Sequence, residues 1–159
     1  MTPDSVLLDT SFFLRFLNVD DPLFLIADGY YRYFLENEMV MFVSTISIAE
    51  YCVGGNIDEL PLRNLQILPF NSDHAKQTGK LAKIAFDNKP GLALNQRKII
   101  PNDTKLFGQA DIESSIAYYL SSDSESLKIY NLLNHKVRLS FQFVDLNVPH
   151  HEVFGLLNL

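Results

Sequence analysis

Four acidic residues of this chain stand at the ends of separate hydrophobic segments. They are Asp9 after Val6–Leu8, Glu50 in STISIAEY, Asp103 in PNDTKLFGQA and Asp123 after YYLSS. A carboxylate at such a place costs desolvation energy unless another group compensates it. Four carboxylates gathered in one pocket repel one another unless a hard cation such as Mg²⁺ or Mn²⁺ holds them together. The pattern therefore predicts a divalent-metal site, and such sites most often act on phosphate esters.

Each acid taken alone has a plainer interpretation. Asp9, Asp103 and Asp123 can each cap the helix that follows, and Glu50 can be a solvent-facing helical residue. Aspartyl-phosphate chemistry at Asp9 needs a second aspartate two residues later, where this chain has Ser11. The four acids are therefore more informative as an ordered set than as separate residues.

The elements that position these acids alternate between strands and helices. Predicted strands are Val6–Leu8, Met39–Val43, Ile116–Leu120 and Arg138–Leu146, and Ile67–Phe70 is a bridging segment. Predicted helices are Phe12–Leu17, Leu23–Leu35, a helix capped by Ser44-Thr45 and ended by Gly54-Gly55, a helix capped by Ser72 or Asp73 that runs to Phe86, Thr104–Asp111 and Ser124–Asn134. Asp87–Pro101 is predicted to be an exposed loop. This alternation favours a parallel sheet flanked by helices, whose functional groups gather at the carboxyl ends of the strands.

Length and composition favour one globular domain over residues 1–159. The chain is 47% apolar and 20% charged, and it has no uncharged apolar run long enough for a membrane span. The N-terminus lacks the pattern of a secretion signal. The single cysteine, Cys52, excludes an internal disulfide, and together these features predict a cytoplasmic location. The histidines have no zinc-ligand spacing, so His150 and His151 are expected at the surface.

The net charge of −6 argues against a nucleic-acid partner, but the basic residues are unevenly distributed. Seven of the 13 lie between positions 76 and 105. They are Lys76, Lys80, Lys83, Lys89, Arg97, Lys98 and Lys105. Such a basic strip can bind phosphates, and it can equally be a solvated helix face.

The ordered motifs resemble those of PIN-domain nucleases, and among them the VapC-like toxins of bacterial toxin–antitoxin pairs. That family has Asp-Thr/Ser after the first strand, then Ser-x-x-x-x-x-Glu in a helix. Asn-Asp with a small residue seven positions later follows, and then Thr/Ser-x-Asp after a strand. The corresponding segments here are Asp9-Thr10-Ser11, Ser44 to Glu50, Asn102-Asp103 with Ala110, and Ser121-Ser122-Asp123. Serine replaces the more usual threonine before Asp123, which keeps the hydroxyl.

A second segment, beginning at Asp111, also fits the Asp-helix part of the motif. Asp103 is preferred because Asn102 precedes it and because twenty residues separate it from Asp123, enough for a helix, a turn and a strand. Small Gly108 and Ala110 would let that helix pack closely on a neighbour. Whether Asp111 or Glu113 also lines the cleft is left open.

The resemblance implies a three-layer α/β/α PIN-like fold with a central, mainly parallel sheet. It further implies a Mg²⁺- or Mn²⁺-dependent endoribonuclease whose metal ligands and catalytic residues are Asp9, Glu50, Asp103 and Asp123. Without metal, at least one of these carboxylates should have a raised pKa. Residues expected to orient water or support the acids are Thr10, Ser11, Asn102 and Ser121. Residues expected to contact the RNA backbone are Lys76, Lys80, Lys83, Arg97, Lys98 and Lys105.

The same resemblance implies a small antitoxin partner and a homodimer. The apolar stretch Pro22–Leu35, with Tyr30, Tyr31, Tyr33 and Phe34, is either a surface for such a partner or part of the core. Tyr118 and Tyr119 are expected in the core rather than as platforms for bases. Two alternatives stay open: an inactive binding or scaffold module of the same fold, and a nuclease directed at DNA.

Overall fold

Five parallel strands form one sheet in the computed structural model, which describes residues 4–88 and 99–155. The strands are β1 (Ser5–Leu8), β2 (Val40–Ser44), β3 (Leu65–Leu68), β4 (Ile116–Ser121) and β5 (Gln142–Asp145). Their order across the sheet is β3-β2-β1-β4-β5, and all four neighbouring pairs are parallel. The central strand β1 is buried along its whole length, as expected where helices cover both faces.

Helices cover both faces of the sheet. Within the described residues they are α1 (Thr10–Phe16), α2 (Phe24–Glu36), α3 (Thr45–Tyr51), α4 (Ser72–Asp87), α5 (Ile99–Ile112), α6 (Ser124–Val137) and α7 (His150–Phe154). One apolar core lies between the sheet and α4, α5 and α6, and a second lies between the sheet and α1, α2, α3 and α7. This confirms the predicted three-layer α/β/α fold. No helix in the described part of the chain is long and apolar enough to cross a bilayer.

The strand order creates a switch point between β1 and β4. From β1 the chain moves outward to β2 and β3, then crosses back through α4 and α5 to β4 on the other side of β1. The connections on the two sides of this point diverge, which leaves a crevice at the carboxyl ends of β1 and β4. Asp9 directly follows β1 and Asp123 follows β4, so the topology places both at this crevice.

Two predictions about the middle of the chain are wrong. The predicted bridging segment Ile67–Phe70 overlaps the edge strand β3, which begins at Leu65. The predicted loop Asp87–Pro101 is wrong at both ends, because Asp87 ends α4 and α5 already begins at Ile99. The prediction for residues 89–98 lies outside the described residues. Pro101 lies in the first turn of α5, where a helix tolerates a residue without an N–H donor. Asp103 is consequently in the second turn of α5 and not at its N-terminus.

Other boundaries differ by a few residues. The strand β5 begins at Gln142 and not at Arg138, because Arg138 ends α6 in a left-handed conformation with φ of 52°. Asn71, rather than Ser72 or Asp73, caps α4, and its side chain accepts a hydrogen bond from the His74 N–H. The helix α1 starts two residues earlier than predicted. The short helix α7 was not predicted at all.

The aromatic residues of α2 serve mainly internal packing. Tyr30 and Phe34 are completely buried, and Tyr33 stacks on Phe154 of α7 with ring centroids 4.8 Å apart. The half-buried His150 of the same helix also packs against Tyr33. The core interpretation of Pro22–Leu35 is therefore correct for these residues, whereas Leu25 is 79% exposed.

Helices α4 and α5 pack closely at Gly108. A Cβ built at Gly108 of α5 would collide with Thr78 of α4 and would lie 3.1 Å from the His74 carbonyl oxygen. Ala110 on the same helix is completely buried. The predicted close packing is confirmed, and it fixes where α5 holds Asp103.

We expect Gly108→Ala to destabilise the protein by about 1–3 kcal/mol, because an added methyl group overpacks the contact between α4 and α5. Gly79→Ala is the matched control. Gly79 is also helical, but no atom lies within 4 Å of an added Cβ, so alanine should stabilise the helix by about 0.5–1 kcal/mol. Urea unfolding measures both, and equal effects would contradict the proposed contact.

Candidate active site

A cleft of about 200 Å³ opens at the carboxyl ends of β1 and β4. It is lined by Asp9, Thr10, Ser11, Leu14, Glu50, Asp103, Leu106 and Asp123. The structure thus brings the four acids together, although 114 residues separate the first from the last in the numbering. Their assignment as metal ligands and catalytic groups stays a prediction.

Asp9 is buried at the floor of the cleft and held by two hydroxyl groups. Its Oδ2 accepts hydrogen bonds from Ser11 Oγ at 2.8 Å and from Ser121 Oγ at 2.7 Å. Its side chain makes no capping bond to α1, so the interpretation of Asp9 as a simple helix cap is wrong. Burial raises the pKa of Asp9, the two hydroxyl bonds oppose that rise, and the negative charge of Asp123 adds to it.

The carboxyl group of Asp103 is strongly perturbed. Its Oδ1 accepts a hydrogen bond from Ser126 Oγ at 2.8 Å, and its Oδ2 is buried with no partner. Burial is the main cause that raises the pKa of Asp103 to about 8; the Ser126 bond opposes the rise, and the charges of Asp9, Asp123 and Glu50 add to it. The expectation that one of the crowded carboxylates titrates abnormally high agrees with this value.

Asp123 caps a helix and lines the cleft at the same time. Its Oδ1 accepts hydrogen bonds from the backbone N–H groups of Glu125 at 2.9 Å and Ser126 at 3.4 Å. The capping interpretation is therefore correct for this acid, but it does not exclude a functional one. Because Ser126 also donates to Asp103, the first turn of α6 fixes two of the acids relative to each other.

Glu50 lines the cleft and is affected by the charge of Lys105. Glu50 as a whole residue is exposed, yet it lines the cleft. Desolvation at the cleft wall and the charge of Asp9 raise the pKa of Glu50, and the ammonium group of Lys105 opposes the rise. Lys105 is thus the member of the predicted basic strip whose charge reaches the acids in the described part of the chain.

None of the basic residues of the strip that the structure describes lines the cleft. Lys76, Lys80 and Lys83 are exposed on α4, and Lys83 is 3.1 Å from an oxygen of Asp87. Arg97 and Lys98 lie outside the described residues. The predicted RNA track beyond Lys105 therefore has no further support from the structure.

Three of the four polar residues expected to support the acids do surround them. Ser11 and Ser121 hold Asp9, and their Oγ atoms also accept hydrogen bonds from the backbone N–H groups of Ser122 and Asp123. Thr10 Oγ1 is buried in the cleft wall and has no partner. Asn102 is exposed and does not line the cleft, because α5 begins upstream of it and turns it outward.

Asp111 and Glu113 have other partners, away from the cleft. Asp111 accepts hydrogen bonds from the Ser140 N–H and from Gln77 Nε2. Glu113 is 2.7 Å from Nε2 of the buried His74. Neither lines the cleft, so they tie the distal end of α5 to α4 and to the segment before β5.

Sequence reasoning missed two residues next to the acids. Ser126 is buried and bonded to Asp103, and its position three residues after a capping aspartate was the available signal. Tyr119 was assigned to the core, where its ring lies. However, burial raises the pKa of its hydroxyl, and the charges of Asp9, Asp103 and Glu50 raise it further. No motif in the sequence marks this tyrosine.

The donor set of the cleft fits a hard divalent cation. Carboxylate and hydroxyl oxygens are the ligands that Mg²⁺ and Mn²⁺ prefer. Two buried oxygens at the cleft, Asp103 Oδ2 and Thr10 Oγ1, have no partner in the protein. No three His, Cys, Asp or Glu side chains within residues 4–88 and 99–155 are arranged so that they already hold an ion. An ion bound here would need waters to complete its coordination, as is usual for Mg²⁺.

Two solved structures share the architecture of this chain. DNA-bound VapBC from Salmonella typhimurium contains a chain that aligns over 90% of this protein and 98% of its own length, with a TM-score of 0.55 and 16% identity. VapBC2 from Rickettsia felis, bound to a DNA fragment from its promoter, aligns over 88% and 98%, with a TM-score of 0.56 and 16% identity. The chain has a PIN-like fold. The resemblance predicted from the motifs is thus confirmed at the level of the fold.

Neither a protein-family model nor a curated protein matches the sequence. The aligned chains are only 16% identical to this one, so the similarity is one of backbone fold. Activity therefore has to be argued from the cleft itself.

The raised pKa of Asp103 predicts a pH-dependent stability in the absence of metal. In the unfolded chain this carboxyl group loses its proton near its ordinary value of 3.8, and in the folded protein near about 8. Between these pH values the folded state binds more protons, so stability falls as the pH rises. Since one pKa unit corresponds to about 1.4 kcal/mol, the loss is on the order of a few kcal/mol.

We expect Asp103→Asn to flatten this dependence and to stabilise the metal-free protein at the alkaline end of the window. Urea unfolding in the presence of EDTA, repeated across the window, measures the effect. The exposed Asp20→Asn is the control for loss of one negative charge. A wild-type protein whose stability is unchanged or rises across the window would refute the prediction.

Proposed function

We propose that this protein is a Mg²⁺- or Mn²⁺-dependent endoribonuclease and the VapC-like toxin of a toxin–antitoxin pair. The observation that carries the proposal is the convergence of four acids at the β1/β4 switch point, where Asp103 Oδ2 is buried without a partner. Burying repelling carboxylates costs free energy, which a bound cation would offset.

The residues of the cleft have distinct parts in this proposal. Asp9 is pre-oriented by Ser11 and Ser121, and Asp103 by Ser126, so both would meet an ion with little rearrangement. When bound, the ion supplies an activated water and neutralises charge on the scissile phosphate. The unpartnered hydroxyl of Thr10 can orient that water, and Lys105 can contact a phosphate of the RNA backbone.

The partner and assembly proposals rest on the fold. Both aligned structures are VapBC assemblies, and we propose that this chain likewise pairs with a small antitoxin and forms a homodimer in the cytoplasm. Leu14, which is 56% exposed and lines the cleft, would give an antitoxin segment an apolar contact beside the acids.

The two alternatives predict different outcomes in a nuclease assay. An inactive scaffold of the same fold would bind no divalent ion in the cleft. A DNA-directed nuclease would use the same acids on deoxyribose substrates. The unpartnered oxygens of the cleft favour an ion-binding site over a scaffold. The nuclease assay distinguishes RNA from DNA as the substrate.

Purified protein with Mn²⁺ or Mg²⁺ should cleave a mixture of structured RNAs, and Asp123→Asn should lower the rate by at least about 100-fold. Removal of one negative ligand weakens ion binding, but asparagine keeps the cap of α6 because it is as good a helix cap as aspartate. The variant should therefore melt close to the wild type. Gel assays with 5′-labelled RNA and the same sequences as DNA measure rate and selectivity.

Asp111→Asn is the matched control, since Asp111 lies on the same helix as Asp103 but outside the cleft. It should retain wild-type activity. Cleavage that survives EDTA or persists in Asp123→Asn would contradict the proposal, and preferential cleavage of DNA would favour the second alternative.

Expression of the chain without a partner should slow bacterial growth if it is a toxin. Asp103→Ala should abolish the effect, because it removes the acid that the other three surround. Growth curves with immunoblots of soluble protein make the comparison. Normal growth with ample soluble wild-type protein would refute the toxin assignment and leave the nuclease assignment standing.

A further inference from the structure

A buried tyrosine lies directly beneath the acids. Strands β1 and β4 are parallel, and Tyr119 of β4 is in register with Leu7 of β1. Tyr119 comes two residues before Ser121, and Leu7 comes two residues before Asp9. Side chains two residues apart point to the same face of a sheet, about 6.6 Å along the strand. The ring of Tyr119 therefore projects from the same face as Asp9 and Ser121, one step deeper.

The hydroxyl of Tyr119 lies beneath the acids without a well-formed hydrogen bond. Tyr119 is completely buried, and its oxygen makes no hydrogen bond of ordinary length and angle. Burial raises the pKa of Tyr119, and the charges of Asp9, Asp103 and Glu50 and an interaction of its hydroxyl with the Asp9 carboxylate add to the rise. A buried hydroxyl without a partner costs free energy, and nearly all buried polar groups avoid that cost.

Tyr130 shows what an ordinary tyrosine does in the same core. Its hydroxyl donates a hydrogen bond of 2.8 Å to the carbonyl oxygen of Phe141. Both tyrosines pack against Phe107, Phe141 and Phe143. The missing bond at Tyr119 is therefore specific to its place below the cleft and not a property of this core.

We propose that Tyr119 is a positioning residue, whose hydroxyl donates to the Asp9 carboxylate when a divalent cation occupies the cleft and so holds that carboxylate toward the ion. This inference rests on the proposed function. Ser11 and Ser121 both bind Oδ2 of Asp9, and a third donor would fix the plane of the carboxylate as well. Hydrogen-bond partners of metal-binding groups commonly set their orientation and affinity in this way.

The test compares Tyr119→Phe with Tyr130→Phe, each lacking one phenolic oxygen. Binding of Mn²⁺ alone is titrated by electron paramagnetic resonance of the free ion, and melting temperatures are recorded in EDTA. We expect Tyr119→Phe to weaken Mn²⁺ binding by about 10-fold and to melt at or above the wild-type temperature, because it removes an unsatisfied hydroxyl. Tyr130→Phe should bind Mn²⁺ like the wild type and melt at a lower temperature.

Cleavage assays supply a second readout. For Tyr119→Phe, the Mn²⁺ concentration that gives half-maximal rate should rise by the same factor, with a smaller change at saturating Mn²⁺. Wild-type Mn²⁺ affinity in Tyr119→Phe overturns the inference and leaves the nuclease standing. A lowered melting temperature in EDTA also overturns it, since the hydroxyl then has a partner without the ion. A wild-type protein that binds no Mn²⁺ overturns both proposals.

Discussion

The parallel pairing of β1 with β4 is the constraint on which the cleft depends. One residue beyond the strand, the Asp9 N–H donates a hydrogen bond to the Leu120 carbonyl oxygen. The Ser11 hydroxyl then accepts a hydrogen bond from the Ser122 N–H, so the two segments stay connected past the ends of the strands. Because both strands end at the same level at the switch point of the sheet, Asp9 and Asp123 meet there without any special loop. The helices α5 and α6 then add Asp103 and its partner Ser126.

The cleft brings negative charges together where they are poorly hydrated, and hydroxyl groups offset only part of the free energy that this burial costs. Ser11, Ser121 and Ser126 satisfy one oxygen each of Asp9 and Asp103, and the pKa values of both acids stay raised all the same. Hydrophobic cores on both sides of the sheet stabilise the fold enough to tolerate this strain. Such local destabilisation is common where a site is shaped for a ligand and not for the stability of the free protein.

Local signals in the sequence predicted most of the fold and the positions of the acids. The apolar runs that became β1, β2 and β4 and the helical spacing of α2 and α6 are such signals, and the ordered motifs predicted which acids would meet. Features that depend on tertiary contacts were missed. Among the described residues the edge strand β3 pairs through its backbone with β2 only. The helix α5 begins ahead of Pro101, where propensity favours a break. Tyr119 looks like any core aromatic residue until the register of β1 and β4 is known.

Asp123 both caps α6 and lines the cleft, and this double role has a genetic consequence. Its Oδ1 closes the first turn of α6, a task that an asparagine carbonyl oxygen performs equally well. The codons of aspartate and asparagine differ at a single base. One transition in the gene can therefore remove a negative charge from the cleft while the cap of α6 is kept, so the charge of the cleft can change in a single mutational step without loss of the fold.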